Sequence, residues 1–400
     1  MFPDSFVPDK ARPLAPRPYL IPSIYLTCVV GSLLPQGKIR ALSVTAVLLF
    51  LIAQVPRYTT GVLAQDALSP IQATLALLHW LDFFVFHPQD AWVRTKDAHA
   101  PRKSLLQRLA WSWDLNTSMR GVGWNWRVNN VPNGRPAGLG KWTFVRRELS
   151  QAVLSCLLFD VSQYPLSVSA YTSADPPDLF TERLPRQLFF TWLPAVGSCQ
   201  ALLMQYSFFS ALTVAAGLYI PEDWPPVMGV LSDVCTIRDL WGKFWHQLIR
   251  RKLNIPFRAL RSFVPIRKGT LASKYLQLYL AFIASGLLHH LGALNLPSST
   301  RENNWNQLVY FFMQPFAITV EDIVIHFGKK AGIQRSCKRL PSGISISKTL
   351  MNASSWGKQE RSEVCGLSRG SHSLCDIWWH FISMLSFLRN LLCPALFERC

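Results

Sequence analysis

The longest charge-free stretch of this sequence, residues 188–220, most constrains its fold, because it contains no Asp, Glu, Lys or Arg. At about 1.5 Å per residue, a helix of that length exceeds one straight crossing of a hydrocarbon core roughly 30 Å thick. We therefore predict that this stretch lies in a membrane, either as two helices or as one helix with a re-entrant piece.

Further apolar stretches recur along the chain of 400 residues, half of which (50%) are hydrophobic and only 16% charged. Such a composition with a positive mean hydropathy is unusual for a soluble domain. Candidate spans of near-membrane length lie at 19–34, 41–55, 68–86, 272–294, 306–327 and 377–393. We predict an all-α, polytopic membrane protein with about seven or eight transmembrane helices.

The sequence divides into four parts by composition. We predict an N-terminal tail over 1–18 without a signal peptide, one membrane domain over 19–330, an atypical Ser-rich basic segment over 331–375, and a hydrophobic helix over 376–400. The abrupt change after residue 330 has two interpretations, a native tail or an altered gene model.

Positive charge is concentrated between the apolar stretches, within a net charge of +18. The loops at 87–149 and 221–270 are rich in Arg and Lys, which predicts a cytosolic position for both and contact with anionic lipid or an anionic ligand rather than nucleic acid. The nine cysteines are scattered singly, so neither a disulfide framework nor a thiolate metal site is indicated.

Two neighbouring histidines lie inside the apolar stretch 272–294, in the sequence SGLLHH (285–290). On a helix Ser285 and His289 share one face, whereas His290 is rotated by about 100°. A histidine inside a membrane span usually faces a protein interior or a water path. The alternatives are a structural core histidine, a metal or haem ligand without supporting spacing, and a neutral general base.

Two motifs in the basic loops also carry candidates. Trp124 and Asn125, in RGVGWNW, suit either a headgroup interface or a gate that contacts substrate. If 238–253 is one helix, Gly242, His246 and Arg250 share a face, and the nearby guanidinium favours a neutral imidazole. The alternative there is an interfacial helix anchored to lipid phosphates by its basic residues.

The motifs RGVGWNW (120–126), WGKFWHQLIRR (241–251), SGLLHH (285–290) and FFMQPFAITVED (311–322) together resemble the wax synthase-like branch of the membrane-bound O-acyltransferase (MBOAT) family. The resemblance covers roughly residues 20–330 and is closest to fungal acetyltransferases of secondary metabolites, including terpenoids and meroterpenoids. It implies transfer of an acetyl group from acetyl-CoA, or of another acyl group from its acyl-CoA, to an alcohol acceptor.

The resemblance also implies roles for single residues. His289 would be the general base, with His246 placing or polarising the thioester, and His290 would be structural. Arg250, Arg251 and Lys252 would contact the acyl-CoA phosphates, while Ser285, Trp124, Asn125 and Trp245 would contact substrate or form a gate. Glu321 and Asp322 are interpreted as meeting basic partners.

No metal and no permanently bound cofactor are predicted, and a multi-pass location in the endoplasmic reticulum or another endomembrane is expected. Other enzymes of a biosynthetic pathway are potential partners. Two alternatives stay open: a long-chain wax ester or sterol ester synthase, and a proton-coupled transporter in which the two histidines relay protons.

Overall fold

Helices make up the regular structure of the described part of this computed structural model, which comprises residues 12–14, 19–61, 63–94, 104–132, 138–170, 179–267, 269–296 and 305–332. No strand occurs in these ranges beyond two isolated bridges, Leu14 with Thr59 and Arg94 with Trp124. The helices are α1 (Leu20–Leu33), α2 (Lys38–Gln54), α3 (Leu63–Trp80), α4 (Leu105–Thr117), α5 (Lys141–Ser167), α6 (Leu184–Ala215), α7 (Ile237–Asp239), α8 (Arg250–Leu253), α9 (Ile255–Phe263), α10 (Leu271–Leu294) and α11 (Asn306–Lys330).

Five of these helices are long and apolar enough to cross a membrane: Lys38–Arg57, Gln65–Val85, Leu184–Ala215, Leu271–Leu294 and Gln307–Lys330. The shorter α1 is also apolar. The predicted all-α membrane fold is confirmed, whereas the number of seven or eight spans is not. The hydrophobic helix predicted over 376–400, the segment over 331–375 from residue 333 onward, and most of the tail over 1–18 lie outside the described residues.

The charge-free stretch forms one continuous helix, so the prediction of two helices or a re-entrant piece is wrong. Helix α6 runs unbroken through Pro194 from Leu184 to Ala215. It packs along α5, and the buried Glu148 of α5 accepts hydrogen bonds from Ser207 (3.0 Å) and Ser210 (3.5 Å) of α6. These hydrogen bonds join α5 to α6, whose 32 residues span about 48 Å.

The basic loop predicted at 87–149 contains two helical stretches that hydropathy did not indicate. Helix α4 begins at a capping box, in which Ser104 and Gln107 exchange side-chain and backbone hydrogen bonds. Helix α5 begins at Lys141, and its first turns carry basic residues that lower its apolar character. Charged residues therefore keep the hydropathy of both helices below that of a predicted membrane span.

The largest hydrophobic cluster lies where α1, α2, α3 and α4 meet. Trp80, Phe83 and Leu115 are fully or almost fully buried there, and Trp124 and Trp126 join them from the loop after α4. Both tryptophans are therefore packed inside the protein, because the loop folds back onto the helix cluster. Aromatic burial of this size contributes strongly to stability.

Close helix contacts place α10 between α3 and α11. Gly292 of α10 lies against α3, and a Cβ atom added at Gly292 would lie 2.6 Å from the carbonyl oxygen of Ala67. By contrast, a Cβ atom added at Gly328 of α11 would meet no atom within 4 Å. The approach of α3 to α10 therefore depends on the missing side chain at Gly292.

We expect Gly292→Ala to destabilise the protein by about 1–3 kcal/mol, because the added methyl group forces two backbones apart. The matched control, Gly328→Ala, should keep or raise stability, since alanine favours helix and has room there. Thermal unfolding of both variants in detergent measures the difference. Equal melting temperatures for the two would contradict the described α3–α10 contact.

Candidate active site

The site is built around residues 237–253, here called the inserted segment because it packs between the long helices. Its first part is α7 followed by a π-helical turn at Leu240–Phe244, and its last part is α8. Trp245 is extended (φ −62°, ψ 143°) and ends the turn. The prediction of one helix over 238–253 is therefore wrong, and His246 lies in the break between two short helices.

Side-chain hydrogen bonds hold the break open. The amide of Gln247 donates to the carbonyl oxygens of Trp241 (3.2 Å) and Trp245 (2.5 Å). Arg250 donates to the carbonyl oxygen of Gly242 (3.3 Å) and to Gln247 Oε1 (2.6 Å). These side chains donate to carbonyl oxygens that would accept backbone N–H groups in a continuous helix. The carbonyl oxygens thus keep hydrogen bonds although the helix is interrupted at Trp245.

Two acidic residues of α11 hold the beginning of the inserted segment. The buried carboxylate of Glu321 accepts the backbone N–H of Ile237 at 3.2 and 3.0 Å, one distance for each oxygen. Asp322 pairs with Arg238 (2.5 Å) and accepts the Tyr275 hydroxyl (2.8 Å). A carboxylate at the first N–H of a helix also interacts favourably with the helix dipole.

A buried ion pair holds the end of the segment to α3. Arg251 Nε lies 2.7 Å from Asp82 Oδ2, and Asp82 is 2% exposed. The guanidinium carbon lies 4.5, 4.8 and 5.4 Å from the ring centroids of Phe83, Trp92 and Trp126. The cation is thus surrounded by aromatic faces while its N–H groups meet a carboxylate.

Aromatic contacts hold the middle of the segment against α10 and α11. The ring of Trp241 lies 5.6 Å from that of Phe282 and 6.3 Å from that of Phe311, and its N–H donates to Gln314 (3.1 Å). His289 of α10 stacks on the same Phe311 at 4.5 Å. The segment therefore reaches the helix face that carries His289.

His246 and His289 come close enough to interact electrostatically. Burial, and to a smaller extent the charges of His289 and Arg120, lower the pKa of His246 to about 4. Its Nδ1 atom is buried and has no hydrogen-bond partner. At neutral pH His246 is thus a neutral ring with a free nitrogen, able to bind a polar group of a ligand.

The other residues of SGLLHH lie as follows. Ser285 is buried on the same helix as His289, one turn earlier. His290 is 4% exposed and stacks on Trp305 at 4.9 Å. The Tyr279 hydroxyl of the same helix lies 3.2 Å from the Thr319 hydroxyl. Only His289 of the pair is directed towards the inserted segment's aromatic contacts.

The loop 118–131, which carries RGVGWNW, is fixed to its neighbours. Asn125 donates to the carbonyl oxygen of Ala91 (2.7 Å), and the backbones of Asn125 and Val93 are joined at 3.1 Å. Gly121 has φ +64°, and a Cβ atom there would lie 2.6 Å from the Trp126 ring. A gating role for the buried Trp124 and the exposed, hydrogen-bonded Asn125 stays a prediction.

Arg120 is a functional candidate that sequence reasoning did not single out. It is 4% exposed and donates to the carbonyl oxygens of Pro225 and Pro226, each at 2.7 Å, and to the Tyr206 hydroxyl. It ties the loop 118–131 to the chain that leads into the inserted segment. An arginine beside a glycine motif gives no sequence signal of such a buried role.

The three basic residues predicted to contact acyl-CoA occupy different surroundings. Arg250 and Arg251 are held by the partners described above, and burial lowers the pKa of both guanidinium groups. Lys252 is buried beside α3. Their role towards acyl-CoA stays a prediction, as does the substrate contact of Trp245, whose ring packs between those of Trp241 and His246. In the described ranges, no three His, Cys, Asp or Glu residues cluster as a metal site.

Fold and site define an all-helical integral membrane protein in which a span and an inserted segment bring two histidines together. Residues 224–318 match the model of the membrane bound O-acyl transferase family. This match contains both histidines. Together with the relatives below, it confirms the resemblance predicted from the motifs.

Several fungal proteins are similar to this chain. Acetyltransferase sirH of Emericella nidulans is 30% identical over 60% of this chain and 56% of the relative. Acetyltransferase ple2 of Rhodocybe pseudopiperita is 32% identical over 58% and 61%. Acetyltransferase eriL of Hericium erinaceus is 28% identical over 74% and 78%. The chain thus matches less than two thirds of the first two relatives. No solved structure matches the chain.

We expect Asp82→Asn to destabilise the protein by about 3 kcal/mol or more, because Arg251 then stays buried without a carboxylate. The exposed Asp160→Asn on α5 is the control and should unfold like the wild type. Denaturant unfolding in detergent measures both. If Asp82→Asn were as stable as the control, the ion pair would not hold the inserted segment.

The pKa of His246 predicts a loss of stability in acid. Since the folded pKa is about 4 and the ordinary value 6.5, the unfolded chain binds a proton that the folded site excludes. Stability from this group is complete above pH 6.5 and falls with acidification towards pH 4, by at most about 1.4 kcal/mol per pH unit.

Replacing the histidine should remove that contribution. We expect the melting temperature of His246→Gln to fall less than that of the wild type between pH 7 and pH 5. The exposed His326→Gln should keep the wild-type slope. Parallel slopes for all three proteins would contradict a buried, neutral His246.

Proposed function

We propose that this protein is a membrane O-acyltransferase that transfers an acetyl group from acetyl-CoA to a hydroxyl group of a secondary metabolite, such as a terpenoid or meroterpenoid. The observation that carries the proposal is the meeting of His246 and His289 within the family-matched residues 224–318. Three similar fungal proteins are named acetyltransferases, which supports an acetyl donor.

In the proposed reaction His289 removes the proton from the acceptor hydroxyl while the hydroxyl oxygen attacks the thioester carbonyl. The new C–O bond forms, the C–S bond breaks, and the coenzyme A thiolate leaves and takes up a proton. A neutral His246 donates a hydrogen bond to the carbonyl oxygen, where negative charge develops. No covalent intermediate on the protein is needed.

The surroundings of the two histidines support these roles. Stacking on Phe311 fixes the plane of the His289 ring, so its nitrogens keep a constant direction. The hydrogen bonds of Gln247 and the contacts of Trp241 fix the chain on both sides of His246. Such preorganisation favours a transition state over a flexible ground state.

A second candidate exists for the identity of the transferred acyl group. Two further relatives are named O-Mevalon transferase, macI of Penicillium terrestre and yanI of Aspergillus niger, at 27% and 26% identity. We therefore also consider acyl groups larger than acetyl, up to wax ester or sterol ester synthesis. The proposed location is the endoplasmic reticulum or another endomembrane, with the acyl donor supplied from the cytosol and pathway enzymes as partners.

Membranes that contain the expressed protein test this function. They should transfer label from acetyl-CoA to a terpenoid alcohol and use palmitoyl-CoA poorly. We expect His289→Ala to lower the rate at least about a hundredfold, as for loss of a general base. His246→Ala should also lower kcat strongly, because it removes a donor to the developing oxyanion.

The matched control is His290→Phe, which keeps an aromatic ring stacked on Trp305 and should retain most activity. An active His289→Ala beside an inactive His290→Phe would overturn the assignment of the base. If neither acyl-CoA were consumed with any alcohol, a proton-coupled transporter would become the better hypothesis, and proton flux in proteoliposomes would then be measured.

A further inference from the structure

A separate cavity of about 420 Å³ lies between α1, α3, α4, α6 and α8. Its walls are mostly apolar and include Tyr25, Leu75 and Phe209. Neither His246 nor His289 lines it. Ligand sites in proteins commonly have volumes of about 300–1,000 Å³. The cavity is thus large enough for a small organic ligand and is distinct from the pair of histidines.

Unpartnered polar atoms meet at this cavity. His79 lines it, is 3% exposed, and has no hydrogen-bond partner at either ring nitrogen. Asn116 also lines it and is 5% exposed, and its Oδ1 atom has no partner although its amide group donates to Ser112. A buried polar group without a partner costs free energy, so these atoms point to a missing ligand.

The charge at the cavity is positive. Lys252 lines it and is 6% exposed, and no hydrogen bond or ion pair joins its ammonium group to another described residue. The acid that interacts electrostatically with it, Asp82, already pairs with Arg251 (2.7 Å) and Arg258 (2.9 Å). One carboxylate therefore faces three cations, which favours a ligand that brings negative charge.

Packing fixes the position of the histidine. The His79 ring stacks on Phe83 at 4.3 Å, with 12° between the planes. A neutral histidine offers one donor and one acceptor. Its N–H and the ammonium group of Lys252 can donate to a head group with two acceptor oxygens, while the apolar walls take a hydrocarbon body.

We propose that this cavity binds an anionic amphiphile, a carboxylate group on an apolar body, with Lys252 and His79 at the carboxylate. A fatty acid of the bilayer and a carboxylate-bearing polycyclic metabolite share this chemistry. The inference does not depend on the proposed acyl transfer, because the cavity excludes both histidines of that site.

Photo-crosslinking of the full-length protein in phosphatidylcholine nanodiscs tests the proposal. A myristic acid that carries a diazirine should label the wall residues saturably, as mapped by mass spectrometry. Lys252→Met should raise the half-saturating probe concentration about tenfold or more, because it removes a charge-assisted bond. The control Lys243→Met, on the same segment with a 57% exposed side chain, should label like the wild type.

A second variant leaves the charges in place. Ala76 is 2% exposed in the cavity wall, and Ala76→Phe should fill the space and abolish labelling. Its melting temperature and elution volume are measured to verify that it folds. Loss of labelling in a folded Ala76→Phe supports the cavity as the site, and unchanged labelling would overturn it.

Competitors that share one apolar body distinguish the head groups. Unlabelled myristate should displace the probe at least about tenfold better than myristyl alcohol or tetradecyltrimethylammonium. Abietic acid separates the two sources, since displacement by it favours a polycyclic acid and its failure beside active myristate favours a fatty acid. Unsaturable labelling, equal potency of the ammonium compound, or displacement by coenzyme A would each refute an anionic amphiphile site.

Discussion

The bond between Arg251 and Asp82 is the interaction on which the histidine site depends. An arginine and an aspartate lose most of their hydration when buried, and their mutual attraction compensates only when geometry is good and other donors are satisfied. Three aromatic rings around the guanidinium supply further attraction without adding charge. The inserted segment is thereby fixed to α3 at one end, while Glu321 fixes the other end to α11.

The histidine pair follows from this arrangement rather than from the local sequence around either residue. His289 belongs to a regular helix and needs only the register of α10 to face Phe311. His246 lies in a break whose shape is set by Gln247 and by contacts with three helices. A neutral ring with an unpartnered Nδ1 atom results because His246 is buried beside positive charge.

Much of the helical frame could be predicted from sequence, because hydropathy is a local property. The stretches at 68–86, 272–294 and 306–327 correspond to α3, α10 and α11 within a few residues. Helices α4 and α5 could not be found that way, since their stability comes from caps and partner helices. Asp82 was overlooked, although a carboxylate inside an apolar stretch is itself a sign of a buried partner.

The break at Trp245 was beyond sequence reasoning for a different reason. The hydrogen bonds at the break join residues that helical periodicity would place on one continuous face. Periodicity therefore favoured a single helix over 238–253, which is wrong. Likewise, spacing alone did not choose between His289 and His290, and the preference came from the family resemblance. The structure adds that Phe311 and Trp305 hold the two rings on different sides of α10.

The inserted segment spans from α11 to α3, and this gives the site a mechanical property. Its two ends are fixed to helices that lie on either side of α10. A change in lateral pressure or bilayer thickness that separates those helices would stretch the inserted segment from both ends. His246 would then move relative to His289. The separation of the two histidines therefore depends on the distance between α3 and α11.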